Sequence, residues 1–206
     1  MRLLSRLAPR RVTEVTGAGR WLIVGLGNPE AEYGGTRHNI GVDVVRLLAG
    51  RLGASFKTHK ASASVADTFD RPGGIPLSLA IPASYVNTSG GPVQRLASFY
   101  KVPPDRVLVV HDEIDLPFGV LRLKFGGGTA GHNGLKDIQR ALGTPDFYRA
   151  RIGVGRPPGR QDPADFVLRR FSASEREKID VLAEETADAI LLIVSDGLEA
   201  AQNRYH

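Results

Sequence analysis

The chain has 206 residues, 42% of them hydrophobic and 24% charged, with a formal net charge of +5 and no cysteine. That length suits one domain able to bury a proper core, and the balance is that of an ordinary globular protein. The missing thiols exclude disulfides, cysteine nucleophiles and cysteine-based zinc sites and suit a reducing, cytoplasmic compartment, while no apolar run approaches the roughly 18–20 residues of a membrane span.

The elements read as follows along the chain. Residues 1–20 form a basic appendage, with Arg2, Arg6, Arg10, Arg11 and Arg20 among small and apolar residues. A disordered extension is expected there in preference to an organellar transit peptide. The folded domain is expected over residues 21–206. It opens on the apolar run Trp21 to Leu26, a buried strand ended by Gly27-Asn28-Pro29. Val44, Val45, Leu47 and Leu48 predict an amphipathic helix over 40–52. Strands are expected at 61–69, 75–81, 106–111, 119–125 and 148–154, with helices at 84–100 and 132–142. The last long helix is expected over 174–195, stopping at Gly197. It starts from the capping-box spacing Ser174-Glu175-Arg176-Glu177, with Ser172 as the alternative cap. Strands mixed with helices, some strands adjacent, predict a single α/β domain with a twisted mixed β-sheet flanked by helices.

Charge is unevenly spread. Residues 120–160 carry eight Lys and Arg against two Asp and Glu, whereas residues 161–206 carry five against ten. One basic segment on a neutral body points to an anion-binding surface, although a solvated face is the plainer reading. That segment contains Lys124 to Gly134, with five glycines between Gly126 and Gly134. Such a loop lets backbone approach a ligand or hinge, and it leads into a helix N-terminus that favours anions.

No G-x-S-x-G elbow, P-loop or H-E-x-x-H is present. Gly25-Leu26-Gly27 begins like a dinucleotide fingerprint, but Glu30 replaces the third glycine and Pro29 stiffens the turn, so no such cofactor is expected. Four of the five asparagines lie beside glycine or histidine or at the ends of predicted elements: Asn28, Asn39, Asn87 and Asn133. Each alone fits a turn or helix cap; together they suggest a polar cleft. His38 lies in a loop before a helix, and Asp112 follows the apolar strand Val107 to Val110, at the sheet edge where ligands bind in open α/β folds. A carboxylate on the imidazole would fix its tautomer and stabilise the imidazolium, making His38 a general base for water. Amide donors such as Asn28 and Asn133 would then hold the carbonyl. A hard-metal site at His111-Asp112-Glu113-Ile114-Asp115 is disfavoured, because successive strand residues point to opposite faces.

These motifs resemble the bacterial-type peptidyl-tRNA hydrolases. Val24 to Pro29 with Thr36 to Asn39, Ser84 to Gly90, His111 to Pro117, Gly126 to Asp137 and Arg151 to Pro157 follow the family's order. The resemblance implies a metal-free and cofactor-free hydrolase, monomeric and cytoplasmic, that cleaves the ester joining peptide to tRNA. His38 would be the base and Asp112 its orienting partner. Asn28, Asn87, Asn133 and His132 would place the peptide carbonyls, the water and the terminal nucleotide. Tyr33 and Asn39 would line the same cleft, and Lys124, Arg151 and Arg160 would contact tRNA phosphate. The partner is thus peptidyl-tRNA, at its acceptor stem and 3' end, with no membrane. Glu30, Val86 and Ile81-Pro82 depart from the family's usual residues. The rival readings are a weakly active or non-catalytic paralogue that binds tRNA or the ribosome, and a hydrolase of another ester or amide.

Overall fold

The computed structural model describes residues 19–206, so the basic extension expected over residues 1–20 lies almost wholly outside the described residues. One seven-stranded sheet, in the order β2-β3-β4-β1-β5-β7-β6, forms the centre of the molecule. Its strands are β1 (Trp21–Gly25), β2 (Lys57–His59), β3 (Ala63–Phe69), β4 (Pro76–Pro82), β5 (Val107–Glu113), β6 (Leu121–Phe125) and β7 (Tyr148–Gly153). The four central strands β4, β1, β5 and β7 are parallel. The outer strands pair antiparallel: β3 with β4, β2 with β3 and β6 with β7. This is the mixed sheet the sequence predicts. The buried parallel centre explains why Trp21 to Gly25 and Val107 to Val110 show no polar face.

The helices are α1 (Glu30–Tyr33), α2 (Ile40–Arg51), α3 (Gly90–Tyr100), α4 (Asn133–Leu142), α5 (Pro163–Val167), α6 (Ala173–Asp196) and α7 (Leu198–Tyr205). One apolar core joins α2, α6 and α7 to the first sheet face through Val45, Leu48, Ile190, Ile193 and Ala201. A second joins α3 and α4 to the other face through Val93, Leu96, Leu135 and Ile138. Each such fully buried side chain contributes about 1.5–3 kcal/mol. No helix among the described residues is long and apolar enough to cross a membrane.

Several boundaries differ from expectation for identifiable reasons. The helix expected from residue 84 starts at Gly90, after a short 3₁₀ turn at Val86–Thr88. Pro92 lacks an N–H and fits only a first turn, and the amides of Val86 and Gly90 bond to Asn28 and Asp137 instead. The alternative cap begins the long helix. The Ser172 hydroxyl accepts from the Glu175 amide while the Glu175 carboxylate accepts from the Ser172 amide. Gly197, at φ 92, ends α6 as expected, but a further helix, α7, follows it.

Chain direction sets the ligand edge. From β1 the chain crosses by α2 toward β2, β3 and β4, then by α3 to β5 on the opposite side of β1. The crevice therefore opens at the carboxyl ends of β1 and β5. Gly41 makes this edge tight: a Cβ there would lie 2.3 Å from the Val110 carbonyl, so only glycine lets α2 pack so close.

Candidate active site

The turn after β1 carries His38 in a 3₁₀ helix, Arg37–Asn39, directly before α2. β5 extends two residues beyond its expected end, because Asp112 and Glu113 still pair with Ile152 and Gly153 of β7. This brings the Asp112 Oδ1 to 2.7 Å from His38 Nδ1. His132 reaches the same oxygen, its Nε2 at 3.2 Å. An ionised carboxylate can only accept, so both imidazoles donate to it. The tautomers follow. His38 carries its proton on Nδ1 and keeps Nε2 free as an acceptor. His132 caps α4 by accepting from the Leu135 amide at Nδ1, so its proton is on Nε2. His132 has both ring nitrogens engaged, whereas the resemblance gave it substrate contact.

Electrostatics follow this geometry. Burial favours neutral His38, but the Asp112 charge and hydrogen bond outweigh burial and raise its pKa above the ordinary value. Burial alone would raise the Asp112 carboxyl; the facing His38 and His132 hold it well below the usual carboxylate range. Behind them His111 is fully buried, its ring centroid 4.8 Å from that of His132. Its Nδ1 donates to the Asp112 carbonyl at 2.7 Å, and Nε2 has no partner among the described residues. Burial, then the neighbouring His132, lower the His111 pKa well below normal, so this ring stays neutral.

The asparagines divide into two groups. Asn39 is completely buried. Its Nδ2 donates to the Asn28 carbonyl and its Oδ1 accepts from the Asn28 amide, each at 2.9 Å. It therefore shapes the turn, where it was expected to line the cleft. Asn28 in turn accepts from the Val86 amide through Oδ1 at 2.9 Å, which leaves its Nδ2 donors unused among the described residues. Asn87, in the Val86–Thr88 turn, and Asn133, first in α4, are exposed, and neither side chain has a partner among the described residues. The two carriers are locked together: Asp137 of α4 accepts from the Gly90 amide at 2.7 Å. A Cβ on Gly90 would lie 2.3 Å from the Asp137 carbonyl, and one on Gly134 2.7 Å from Val86. Val86 thus packs beneath the start of α4. At the rim, half-buried Tyr33 meets exposed Tyr85 edge-on, with ring centroids 6.3 Å apart. Glu30 is bonded by Arg46, so its charge is largely offset.

On the β6–β7 side, Lys124 lies against Gly127 of the glycine-rich loop. Burial and the nearby Arg149 and Arg151 charges lower its pKa, the mark of a cation cluster. The two arginines differ despite sharing a strand face. Arg149 is buried and donates to the carbonyls of Gly127, Gly128 and Pro145, pinning the loop from beneath. Arg151 gives Nε and one terminal nitrogen to Glu113, leaving its other terminal nitrogen unbonded among the described residues. Arg160 is exposed in the loop before α5, without an ion-pair partner among the described residues.

Asp112, Glu113 and Asp115 do not converge: Glu113 pairs with Arg151 and Asp115 with Arg156. His38, Asp112 and His132 do offer ligand atoms within 4.8 Å of one another. Two ligands on a tetrahedral zinc ion at about 2.0–2.1 Å would stand roughly 3.3 Å apart. The 2.7 Å His38–Asp112 separation is that of a hydrogen bond, and both rings aim protonated nitrogens at one oxygen. Arg37, Arg149, Asp137 and Tyr85 were not recognised as parts of the site. Arg37 stands beside His38, Tyr85 two residues before Asn87, and Arg149 alternates with Arg151 in the basic segment, so only Asp137 carried no positional signal.

Known proteins match the chain over most of its length. The family model for peptidyl-tRNA hydrolase matches residues 22–206. The peptidyl-tRNA hydrolase of Frankia casuarinae is 56% identical over 191 residues, covering 93% of this chain and 96% of its own. That of Nocardia farcinica is 56% identical over 189 residues, covering 91% and 97%. The crystal structure of peptidyl-tRNA hydrolase from Acinetobacter baumannii is 36% identical with a TM-score of 0.84, over 91% of this chain and 95% of that one. The family model spans residues 22–206, which include His38 and Asp112, and with relatives this similar the chain belongs to the peptidyl-tRNA hydrolase family.

Proposed function

We propose that the chain hydrolyses the ester between a peptide, or an N-blocked aminoacyl group, and the 3'-terminal ribose of tRNA. It would return free tRNA from peptidyl-tRNA released by stalled or aborted ribosomes. One observation carries this reading: His38 is bonded to Asp112 through Nδ1 at 2.7 Å, which leaves Nε2 as an acceptor for a water proton. In the proposed reaction Nε2 takes that proton as the water oxygen attacks the ester carbonyl. Asp112 balances the imidazolium, and the proton then passes to the departing ribose oxygen. Such general-base catalysis contributes about 10²–10⁴-fold. The unused amides of Asn28, Asn87 and Asn133 support a role in holding the peptide carbonyls and the developing oxyanion. Tyr33, with Tyr85, would flank the entering chain. His132 and Asn39 would act through Asp112 and Asn28 respectively.

Lys124 and the terminal nitrogen of Arg151 that Glu113 does not engage would contact tRNA phosphate, with Arg160 extending the same positive side. Donors set for a neutral peptide link are mismatched by the ammonium of aminoacyl-tRNA, which supplies discrimination between the two. The protein would act as a cytoplasmic monomer without metal or cofactor. The test is release of N-acetyl amino acid from N-acetyl-aminoacyl-tRNA, with EDTA as a control and unblocked aminoacyl-tRNA in parallel. Cleavage of the blocked substrate alone, unaffected by EDTA, supports the reading. A protein that binds tRNA but leaves the ester intact would instead be a binding module.

A further inference from the structure

The residue beside His38 is anchored through both terminal nitrogens, and only its buried Nε has no partner among the described residues. Arg37 is buried, although it carries a charge. One terminal nitrogen donates to the carbonyls of Arg169 and Arg170 at 3.2 and 2.9 Å. The other bonds both carboxylate oxygens of Glu175, at 2.7 and 2.9 Å. The guanidinium lies over Phe166 at 4.3 Å and near Phe171 at 5.1 Å. The Arg37 amide itself donates to the Arg169 carbonyl, and Thr36 forms a bridge with Arg170. All these partners belong to α5, the start of α6 and the link between them. Glu175 is also the residue that closes the α6 capping box, so the anchor is fixed in its own right.

From this we propose that Arg37 is a positioning residue for His38, locking the turn that carries the imidazole onto the α5–α6 segment. A short turn before a helix is not rigid by itself, and a misplacement of about 1 Å can cost roughly 10²-fold in rate. Asp112 of β5 holds the ring, and His132, the cap of α4, bonds the same Asp112 oxygen. Arg37 ties the adjacent backbone to the α5–α6 segment, and the planar fork of an arginine can satisfy a carboxylate and two carbonyls at once. Lysine cannot do so, because its ammonium is a point charge.

The inference rests on His38 being the base, and the test keeps the two claims apart. Arg37→Lys, Arg37→Met and Glu175→Gln would be compared for kcat, KM and the titration of His38 followed by NMR. Arg37→Met is expected to lower kcat by about 10- to 100-fold with KM changed far less. The His38 pKa should drop toward its ordinary value as the Asp112 contact loosens. Glu175→Gln, which keeps the fork but weakens its anchor, should show a smaller change of the same kind, and Arg37→Lys should not restore wild-type behaviour. If the folded variants lose thermal stability while kcat and the His38 titration stay at wild-type values, Arg37 only anchors the fold and the proposal fails. Should Arg37→Met not fold, Glu175→Gln decides by the same two readouts. Full activity in His38→Ala would remove the base reading, yet the NMR titration would still report whether Arg37 positions the ring.

Discussion

Asn28 and Asn39 are joined by two hydrogen bonds running in opposite directions, each 2.9 Å long. The Asn39 side chain thereby behaves like a strand partner for the Asn28 backbone and sets where the Asn28 amide points. Asn39→Ala would leave a buried N–H and carbonyl unsatisfied and cost about 2–3 kcal/mol. Urea denaturation should show that loss, and kcat should fall although Asn39 touches no substrate. Asn39→Asp retains the acceptor but places a charged oxygen against the Asn28 carbonyl, so it should be no better. A stable, fully active Asn39→Asp would show that the clamp is dispensable.

Separate duties are expected for the two nitrogens of His132. Asparagine is a strong N-cap, so His132→Asn should be about 1 kcal/mol more stable than His132→Ala. Both variants lose the second donor to Asp112, so both should lose activity to a similar extent, roughly tenfold. Wild-type kcat in His132→Asn would mean that only the cap matters.

Much of the fold was legible because burial leaves a direct mark on composition. Val107 to Val110 has no polar face, since both sides of β5 are covered. β2 left no such mark: Lys57, Thr58 and His59 are exposed or half-exposed, paired with β3 and touching α3 through the His59 ring against Phe99. α7 is largely polar and follows a strong stop at Gly197, so local signals ended the chain's helices too early. In the site, the loop position of His38 and the strand-end position of Asp112 were readable. The duties of Asn39 and His132 were not, because they depend on which atom of a ring or amide faces which neighbour. Arg149 shows the same limit: it stands two residues from Arg151 in the basic segment, but its burial under the glycine loop depends on Gly127 and Gly128 folding over it.

Activity should depend on pH through the His38–Asp112 pair. Only the neutral imidazole takes a proton, so kcat/KM should fall as pH drops through the raised His38 pKa. Asp112→Asn removes the charge that raises it. The acid limb should then move to lower pH while the plateau falls by about 10²–10⁴-fold. Stability follows the same pair. The depressed Asp112 contributes above its unfolded-state pKa, and the raised His38 contributes below its own. The interaction is therefore fullest between roughly pH 4 and 6.5 and fades as pH rises through the folded His38 value. The stability gap between wild type and Asp112→Asn should be widest in that window; a gap that keeps growing toward pH 8 would contradict this assignment.

Lys124 and Arg151 should behave differently when truncated. Lys124→Ala should weaken tRNA binding, more severely at low salt, and reduce the salt slope by about one unit. Its folding stability should be unchanged. Arg151→Ala should weaken binding as well, but it also strands the buried Glu113 and should destabilise the fold by about 3–5 kcal/mol. Arg151→Ala with Glu113→Gln should recover much of the stability and none of the binding. Equal binding by all variants at low salt would remove this side of the cleft from the tRNA surface.

The central claim is that His38 Nε2 activates the water. The most direct measurement is single-turnover hydrolysis of N-acetyl-aminoacyl-tRNA by wild type and His38→Ala, with tRNA affinity measured for both. Wild type should cleave, and His38→Ala should bind tRNA equally well while its rate falls by about 10²–10⁴-fold. A His38→Ala protein that cleaves within about threefold of wild type would leave no place for general-base catalysis by this imidazole.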